Sequence, residues 1–354
     1  MNKVAIITDT HFGASSGNKI VAGAISKFFV ECLFPYLKEH NIKTLLHAGD
    51  FVDNRTMISY LTMNQIERDF IAPVIENDIS VHLLMGNHDV HYRHSNDISS
   101  AFLFAKCDNI KTYSEIEDVS VLGTTMTMCP WINNSNSEKV FSHIENSSAK
   151  ILLGHLEIKD AAMMRNKKNE SGISTTVFNN YDLVITGHFH HRNSIDNVHY
   201  IGNPYPLNWG DYNDPRGFCV LDLDSNELEF IDNSYSQYQK FYYDDSIYDY
   251  SANSVNVKNK YVKVIVVKKT NSRMFDTFIT ILNLSGAYQI SIVDSDIELS
   301  DSVIVDDSER LESFSSIQLI NSALESLNLS DDNLNGCKSL IAELHKEIIA
   351  DVSL

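Results

Sequence analysis

The sequence predicts an α/β protein in which two packed mixed β-sheets are flanked by helices, followed by a small α/β unit and a pair of C-terminal helices. Three observations carry that expectation. Nine short runs rich in Val, Ile and Leu, bounded by Gly, Asp or Asn, read as strands within the first 235 or so residues. Only three stretches among them place apolar residues at helical spacing, too few helices for nine strands in one doubly wound sheet. A composition change at 233–258 then separates this region from a shorter one with its own strand–helix–strand pattern.

In chain order, the strand runs are Val4–Thr8, Thr44–Ala48, Ser80–Met85, Val119–Gly123, Met126–Cys129, Lys150–Leu153, Asp182–Thr186, Val198–Ile201 and Gly217–Leu223. Helical spacing covers 18–39, 57–76 and 136–147. Residues 1–235 form the first domain, and 236–258, rich in Asn, Ser, Tyr and Asp, reads as an extended linker. Residues 259–300 are the small α/β unit. Its strands, Tyr261–Val267 and Tyr288–Val293, surround a helix capped near Asn271/Ser272 that carries Met274, Phe275, Phe278 and Ile281 on one face and stops at Gly286. An acidic stretch then leads, within 301–354, to amphipathic helices near 309–328 and 335–352.

Composition limits the function classes. The 354 residues hold 43% hydrophobic and 21% charged residues, values of an ordinary globular protein. No apolar run approaches ~18 residues, so no membrane span is expected. Five scattered cysteines (Cys32, Cys107, Cys129, Cys219, Cys337) exclude a Cys-based zinc site and point to a reducing cytoplasm. The formal charge is −19, and 11 Lys and Arg face 25 Asp and Glu in residues 201–354. A chain this acidic does not hold nucleic acid tightly by counterion release alone; metal ions or a partner must supply positive charge.

Five of the apolar strands end alike. They run into Asp9-Thr10-His11, into Gly49-Asp50 with Asp53 three positions on, into Gly86-Asn87-His88-Asp89, into Gly154-His155, and into Gly187-His188-Phe189-His190. Carboxyl ends of neighbouring parallel strands share one edge, where ligands sit in α/β folds. Asp, Asn and His without Cys suit Mn²⁺, Fe or Zn²⁺. Seven ligand-type residues (Asp9, His11, Asp50, Asn87, His155, His188 and His190) are too many for one ion and suit two ions sharing a carboxylate. Burying such groups on apolar strand ends would be costly unless they bound something.

This ordered set (DxH, GDxxD, GNHD, GH and GHxH) resembles the calcineurin-like binuclear metallophosphoesterases over about residues 1–235, and implies their four-layer sandwich. GNHD in place of GNHE, the paired histidines of GHFHH, and Gly202-Asn203-Pro204 make it most similar to the SbcD-type double-strand-break-repair nucleases and their phage recombination counterparts. The resemblance implies one metal on Asp9, His11, Asp50 and His190 and another on Asp50, Asn87, His155 and His188. Mn²⁺ is the expected metal, with Mg²⁺ or Fe as alternatives. It further implies His88 as general acid and Asp53 as the group orienting the His88 ring.

The implied activity is DNA cleavage, as a 3′-to-5′ exonuclease on duplex ends and an endonuclease on single strands or hairpins, in recombination, repair and replication. The implied partners are DNA, an SbcC-type coiled-coil ATPase of the SMC class bound through the C-terminal helices, and a second copy bound through helix 57–76. The expected location is the cytoplasm, that of the host if the chain is phage-encoded. Two other readings compete: a phosphoprotein phosphatase or small phosphodiesterase, disfavoured because Asn54-Arg55 follows Asp53 where phosphatases place Arg-Gly, and a non-catalytic adaptor on the same scaffold. Arg55, Arg93 and Arg192 read equally as phosphate contacts or surface arginines. Lys159, Arg165, Lys167 and Lys168 read as a solvated face, His47 and His82 as core, and Tyr238, Tyr242 and Tyr243 as packing groups rather than base-stacking ones.

Overall fold

The computed structural model describes residues 2–164, 167–247, 250 and 255–294. The C-terminal helices expected at 309–328 and 335–352, and Arg165, lie outside the described residues. The chain begins with strand β1 (Lys3–Ile7), helix α1 (Lys19–Glu39), β2 (Thr44–His47) and helix α2, which runs through Tyr60–Ile66, Glu67–Ile71 and Ala72–Glu76. Next come β3 (Ser80–Leu84), β4 (Ile110–Tyr113), β5 (Glu117–Val121), β6 (Thr124–Cys129), helix α3 (Ser137–Asn146) and β7 (Ile151–His155). A small hairpin, β8 (Ala162–Met164) and β9 (Lys167–Lys168), precedes β10 (Leu183–Gly187), β11 (Asn193–Ile195), β12 (Val198–Tyr200), β13 (Gly217–Asp222) and β14 (Glu227–Asp232). The last elements are β15 (Tyr238–Asp244), β16 (Tyr261–Lys268), helix α4 (Ser272–Leu284) and β17 (Gln289–Asp294).

Two six-stranded mixed sheets result, in the orders β14-β13-β1-β2-β3-β4 and β11-β12-β10-β7-β6-β5. Strands β1, β2, β3 and β4 pair in parallel, as do β6, β7, β10 and β12, so their carboxyl ends lie on common edges. The two-residue side-chain period of a strand divides each apolar run between two cores. Val4, Ile6, Leu46 and Leu84 face Met126, Met128, Ile151, Leu153 and Ile185 of the other sheet, while Ala5, Ile7, Leu45 and Leu83 pack against α1 and α2. On the far side, Leu152 and Val184 meet Val140 and Ile144 of α3. Helix, sheet, sheet and helix make four layers, the expected architecture.

Both long helices carry proline in their interior, Pro35 and Pro73. Each helix widens just there: Phe34 N–H reaches the Phe29 carbonyl, and Ala72 N–H reaches that of Glu67, five residues back. The widened turn makes room for a ring that removes one N–H and crowds the preceding turn. Helix α1 is long and apolar enough on length and composition to cross a membrane, which a count of uninterrupted apolar residues does not register. Its Val21, Ile25, Phe28, Phe29, Leu33 and Leu37 are buried in the helix–sheet core, so its apolarity is that of a core helix.

Two further differences concern edges. The stretch read as linker contains β15, which pairs in parallel with β16 beside β17. Tyr238 and Tyr243 are buried in this small sheet, and only Tyr242 of the three points outward. Their alternation was hidden among Asp, Ser and Asn residues. Strands β4, β11 and β14 close or extend sheet edges and are short or half-exposed, so they lack the continuous apolar run that marks interior strands. Helix α4 has the expected Asn271 cap, whose side chain accepts from Met274 N–H at 3.2 Å.

Candidate metal centre

All five strand-end motifs meet at one place. Asp9 and His11 follow β1, Asp50 follows β2, and Asn87 and His88 follow β3; the other sheet contributes His155 at the end of β7 and His188 and His190 beyond β10. The loops after β1 and β2 stay paired past the strands, with His11 N–H donating to the Asp50 carbonyl at 3.1 Å and Phe12 N–H to that of Phe51 at 2.9 Å. Asp9, His11, Asp50 and His188 take left-handed backbone conformations (φ of 50°, 42°, 54° and 92°). Non-glycine residues rarely accept this, and such conformations gather at functional sites because the surroundings enforce them.

Glycine is required where the loops touch. A Cβ on Gly86 would overlap Asp50 Oδ1, and one on Gly187 would overlap Thr8 Oγ1 and lie 2.7 Å from Asp9 Oδ2. Chain and carboxylate approach here as closely as atoms allow.

The ligand-type atoms form three groups, each within 4.8 Å: Asp9, His11 and His190; Asp50, His155 and His188; and His11, Asp53 and His88. Asn87 joins the second, its Oδ1 lying 3.0 Å from His155 Nε2 and 2.8 Å from His188 Nδ1. Asp50 sits between the first two, with Oδ2 3.4 Å from His155 Nε2 and 3.8 Å from His11 Nε2. His155 Nδ1–H donates to the Ala48 carbonyl at 2.8 Å, which turns Nε2 toward the centre. His11 Nδ1 is buried without a hydrogen-bond partner among the described residues.

Electrostatics favour cations at this place. Burial pushes Asp9 up to about 7, and the Asp50 carboxylate adds to the shift. Burial holds His188 and His190 down to about 3 and His11 well below its usual range, leaving neutral rings, the metal-binding form. His155 is the exception: burial opposes its charge, but Asp50 outweighs it and lifts the ring to about 9. The carboxylates thus draw positive charge to the point where His155 and Asp50 meet. Neutral imidazoles, carboxylates and an amide oxygen facing one another at these distances fit a pair of divalent metal ions.

His88 lies at the edge of the cluster, its ring edge-on to His11 at 4.9 Å between centroids. The expected role of Asp53 changes in kind. His88 Nδ1–H donates to the Asp53 main-chain carbonyl at 2.6 Å, whereas the Asp53 carboxylate lies 3.5 Å from His11 Nδ1. The Asp53 carbonyl thus makes the direct contact to the His88 ring, while the Asp53 carboxylate stays within 4.8 Å of a His88 ring nitrogen.

Two buried groups that the motifs did not single out hold the loops. Asp89 accepts from the N–H groups of Phe51 (3.0 Å), Val52 (3.1 Å) and Gly86 (2.8 Å) and from Ser100 Oγ (3.2 Å), tying the Asp50 loop to the His88 loop. Arg216 donates to the His190 carbonyl, the Asn203 side chain, Asp211 and Asp214. The Asn203 contact explains Gly202-Asn203-Pro204; Arg216 itself has no motif that announces it. His191 donates to Asp214 at 2.9 Å and Arg192 pairs with Asp232 over the Phe230 ring, so both are engaged within the chain. His47 is buried, as expected, and His82 is partly so, beside Tyr113.

A family model for calcineurin-like phosphoesterases matches residues 2–192. The chain is 32% identical over 244 residues to exonuclease subunit 1 of Enterobacteria phage T4, covering 68% of this chain and 70% of that one. It is 21% identical over 253 residues to the SbcD subunit of the SbcCD nuclease of Staphylococcus epidermidis, covering 64% and 67%. Among solved structures, an archaeal phosphodiesterase overlaps 65% of this chain and 99% of its own at 16% identity, with a TM-score of 0.33, a likeness too weak to add to the family match. The chain therefore belongs to the calcineurin-like metallophosphoesterases, hydrolases of phosphate esters that work with divalent metal ions.

Proposed function

We propose that the chain is the nuclease subunit of a DNA-processing complex, cutting phosphodiesters with two metal ions, most simply Mn²⁺. The observation that carries this reading is the convergence of six ligand-type side chains from two sheets around a seventh, Asp50, with His88 at the edge of the cluster. One ion would be held by Asp9, His11, Asp50 and His190, the other by Asp50, Asn87, His155 and His188. When bound, such a pair supplies a polarised phosphate, an activated water and charge to offset the five-coordinate transition state.

The chain's own residues supply the rest. A deoxyribose oxygen is a poor leaving group and needs a proton, which His88 would give. With Nδ1–H fixed on the Asp53 carbonyl, Nε2 is left for the transfer. Asp89 keeps the His88 and Asp50 loops in register.

DNA as substrate is supported by the names of the two relatives, both of them nucleases. Both names also denote members of a complex, which supports a partner; a coiled-coil ATPase of the SMC class, bound through 301–354, would also supply the positive surface that a charge of −19 denies this chain. A second copy would pack against the outer face of α2, where Tyr60 and Leu61 are exposed. Action in the cytoplasm, on duplex ends and hairpins, completes the reading.

The test is one preparation in Mn²⁺ offered duplex DNA with free ends, a hairpin, a phosphopeptide and bis(p-nitrophenyl) phosphate. Preferred cleavage of DNA, lost by His88→Asn with metal content unchanged, supports the reading. Preferred cleavage of the phosphopeptide makes the chain a phosphatase. Neither metal uptake nor hydrolysis of any substrate makes it an adaptor.

A further inference from the structure

Beside the metal centre a cavity of about 280 Å³ opens between the loop after Asp53 and the loop after His88. Arg55 enters from the first loop. Its Nη1 is buried and has no hydrogen-bond partner among the described residues. Asp89 lines the same cavity but already accepts from three main-chain N–H groups and Ser100. Arg93 lies close enough for its like charge to lower the Arg55 pKa further, after burial, which is the larger cause. The chain has 47 Asp and Glu against 28 Lys and Arg, so a partly buried guanidinium with a nitrogen unpaired among the described residues does not reflect a shortage of carboxylates. Such a group is costly unless an anion reaches it. The remaining wall is mixed: Asn54, Thr56, His91 and Ser99 contribute polar groups, while Met57, Ile98 and Phe102 form an apolar side on which Met57 and Phe102 are 72% and 70% exposed.

We propose that this cavity is a nucleotide subsite: Arg55, with Arg93, binds a phosphate next to the one being cut, and Met57, Ile98 and Phe102 take the attached sugar and base. The inference rests on the nuclease reading and names which part of the substrate strand the site grips. A guanidinium fork matches two phosphate oxygens, and a desolvated one binds them more strongly than a surface lysine would. Apolar and aromatic walls accept any base, since every base offers a flat face. The substrate preferred over a lone diester is therefore one with at least two consecutive phosphates.

The experiment compares the full chain in Mn²⁺ on oligothymidylate and on bis(p-nitrophenyl) phosphate, which offers a single phosphate. Arg55→Gln is expected to lower kcat/KM on the oligonucleotide about tenfold more than on the small diester, chiefly through KM. Arg55→Lys should recover part of the difference, and Phe102→Ala should shift the ratio the same way. Any unfolded fraction cancels in the ratio. Equal losses on both substrates, or no loss on either, overturn the subsite while leaving the nuclease reading intact. Wild-type chain that cleaves the small diester but not oligothymidylate removes the nuclease reading and the subsite with it. If Phe102→Ala leaves the ratio unchanged and instead alters the mass measured by light scattering, the rim is a contact between copies and the proposal is overturned.

Discussion

Replacing Asp89 tests how the sequence after β3 builds the metal centre. In Asp89→Asn the side chain keeps its shape but one oxygen becomes an NH₂ group. In either amide orientation a buried N–H then faces another donor: Gly86 N at 2.8 Å, or Phe51 and Val52 N at 3.0 and 3.1 Å. Leaving one buried donor unsatisfied costs about 1–3 kcal/mol, and exchanging a charged acceptor for a neutral one weakens the bonds that survive. Burial, then the neighbouring Asp50, pushes the Asp89 pKa up to about 6, so at pH 7.5 the wild-type group is ionised at a cost that the neutral Asn escapes, which offsets part of the loss. The expected net loss is about 1–3 kcal/mol for Asn and more for Ala, which orphans every donor. Urea unfolding at pH 7.5 reads the stability change, and titration calorimetry with Mn²⁺ reads the affinity, which should fall with it because Asp50, Asn87 and His88 lie on the loops that come apart. An Asn variant within about 0.5 kcal/mol of wild type, with unchanged metal affinity, would refute the reasoning.

Other outcomes follow from the same geometry. Asp50→Ala should lose both metal ions and all hydrolysis, read by elemental analysis of dialysed protein; one ion retained at full occupancy would show that Asp50 is not shared. Gly187→Ala forces a Cβ onto Thr8 and Asp9 and should cost about 1–3 kcal/mol with weakened metal binding, whereas Gly23→Ala, which lies within α1 and meets nothing within 4 Å, should stabilise by up to about 1 kcal/mol and leave metal binding unchanged. Burial, with the His155 charge adding, holds His47 down to about 3, and Gly49 N–H donates to its Nδ1, so protonation breaks a native bond. The unfolded ring titrates near 6.5; the folded form binds fewer protons below that pH, so stability is full above it and falls as pH drops, by about 1.4 kcal/mol per unit toward pH 3. His47→Gln should flatten the denaturation midpoint of chelator-treated protein between pH 6.5 and 4.5 by that amount, and an unchanged slope counts against the assignment.

The two main sheets and the convergence of the strand-end residues are legible because each interior strand is a continuous apolar run that ends abruptly in Asp, Asn or His. That contrast survives in a single sequence. Edge strands such as β14, half-exposed and acidic, carry no such contrast, and β15 lay hidden in a stretch whose composition resembles a loop. The roles of Asp89 and Arg216 depend on which main-chain groups they reach across the fold, which spacing cannot reveal. Asp53 shows a subtler limit: its position near His88 was readable, but whether the carboxylate or the carbonyl makes the contact is decided by backbone direction.

The centre draws Asp9, His11, Asp50, Asn87 and His88 from one sheet and His155, His188 and His190 from the other, at the edge of an apolar core shared by the two sheets. Apolar contact resists separation of two layers but is nearly indifferent to small slips of one past the other. Cations clasped by both layers would fix that slip, so loading the protein should slow amide exchange along β2 and β7 together, far beyond the residues that touch the ions. The catalytic metals would then also serve as the rivet that sets the alignment of the sandwich.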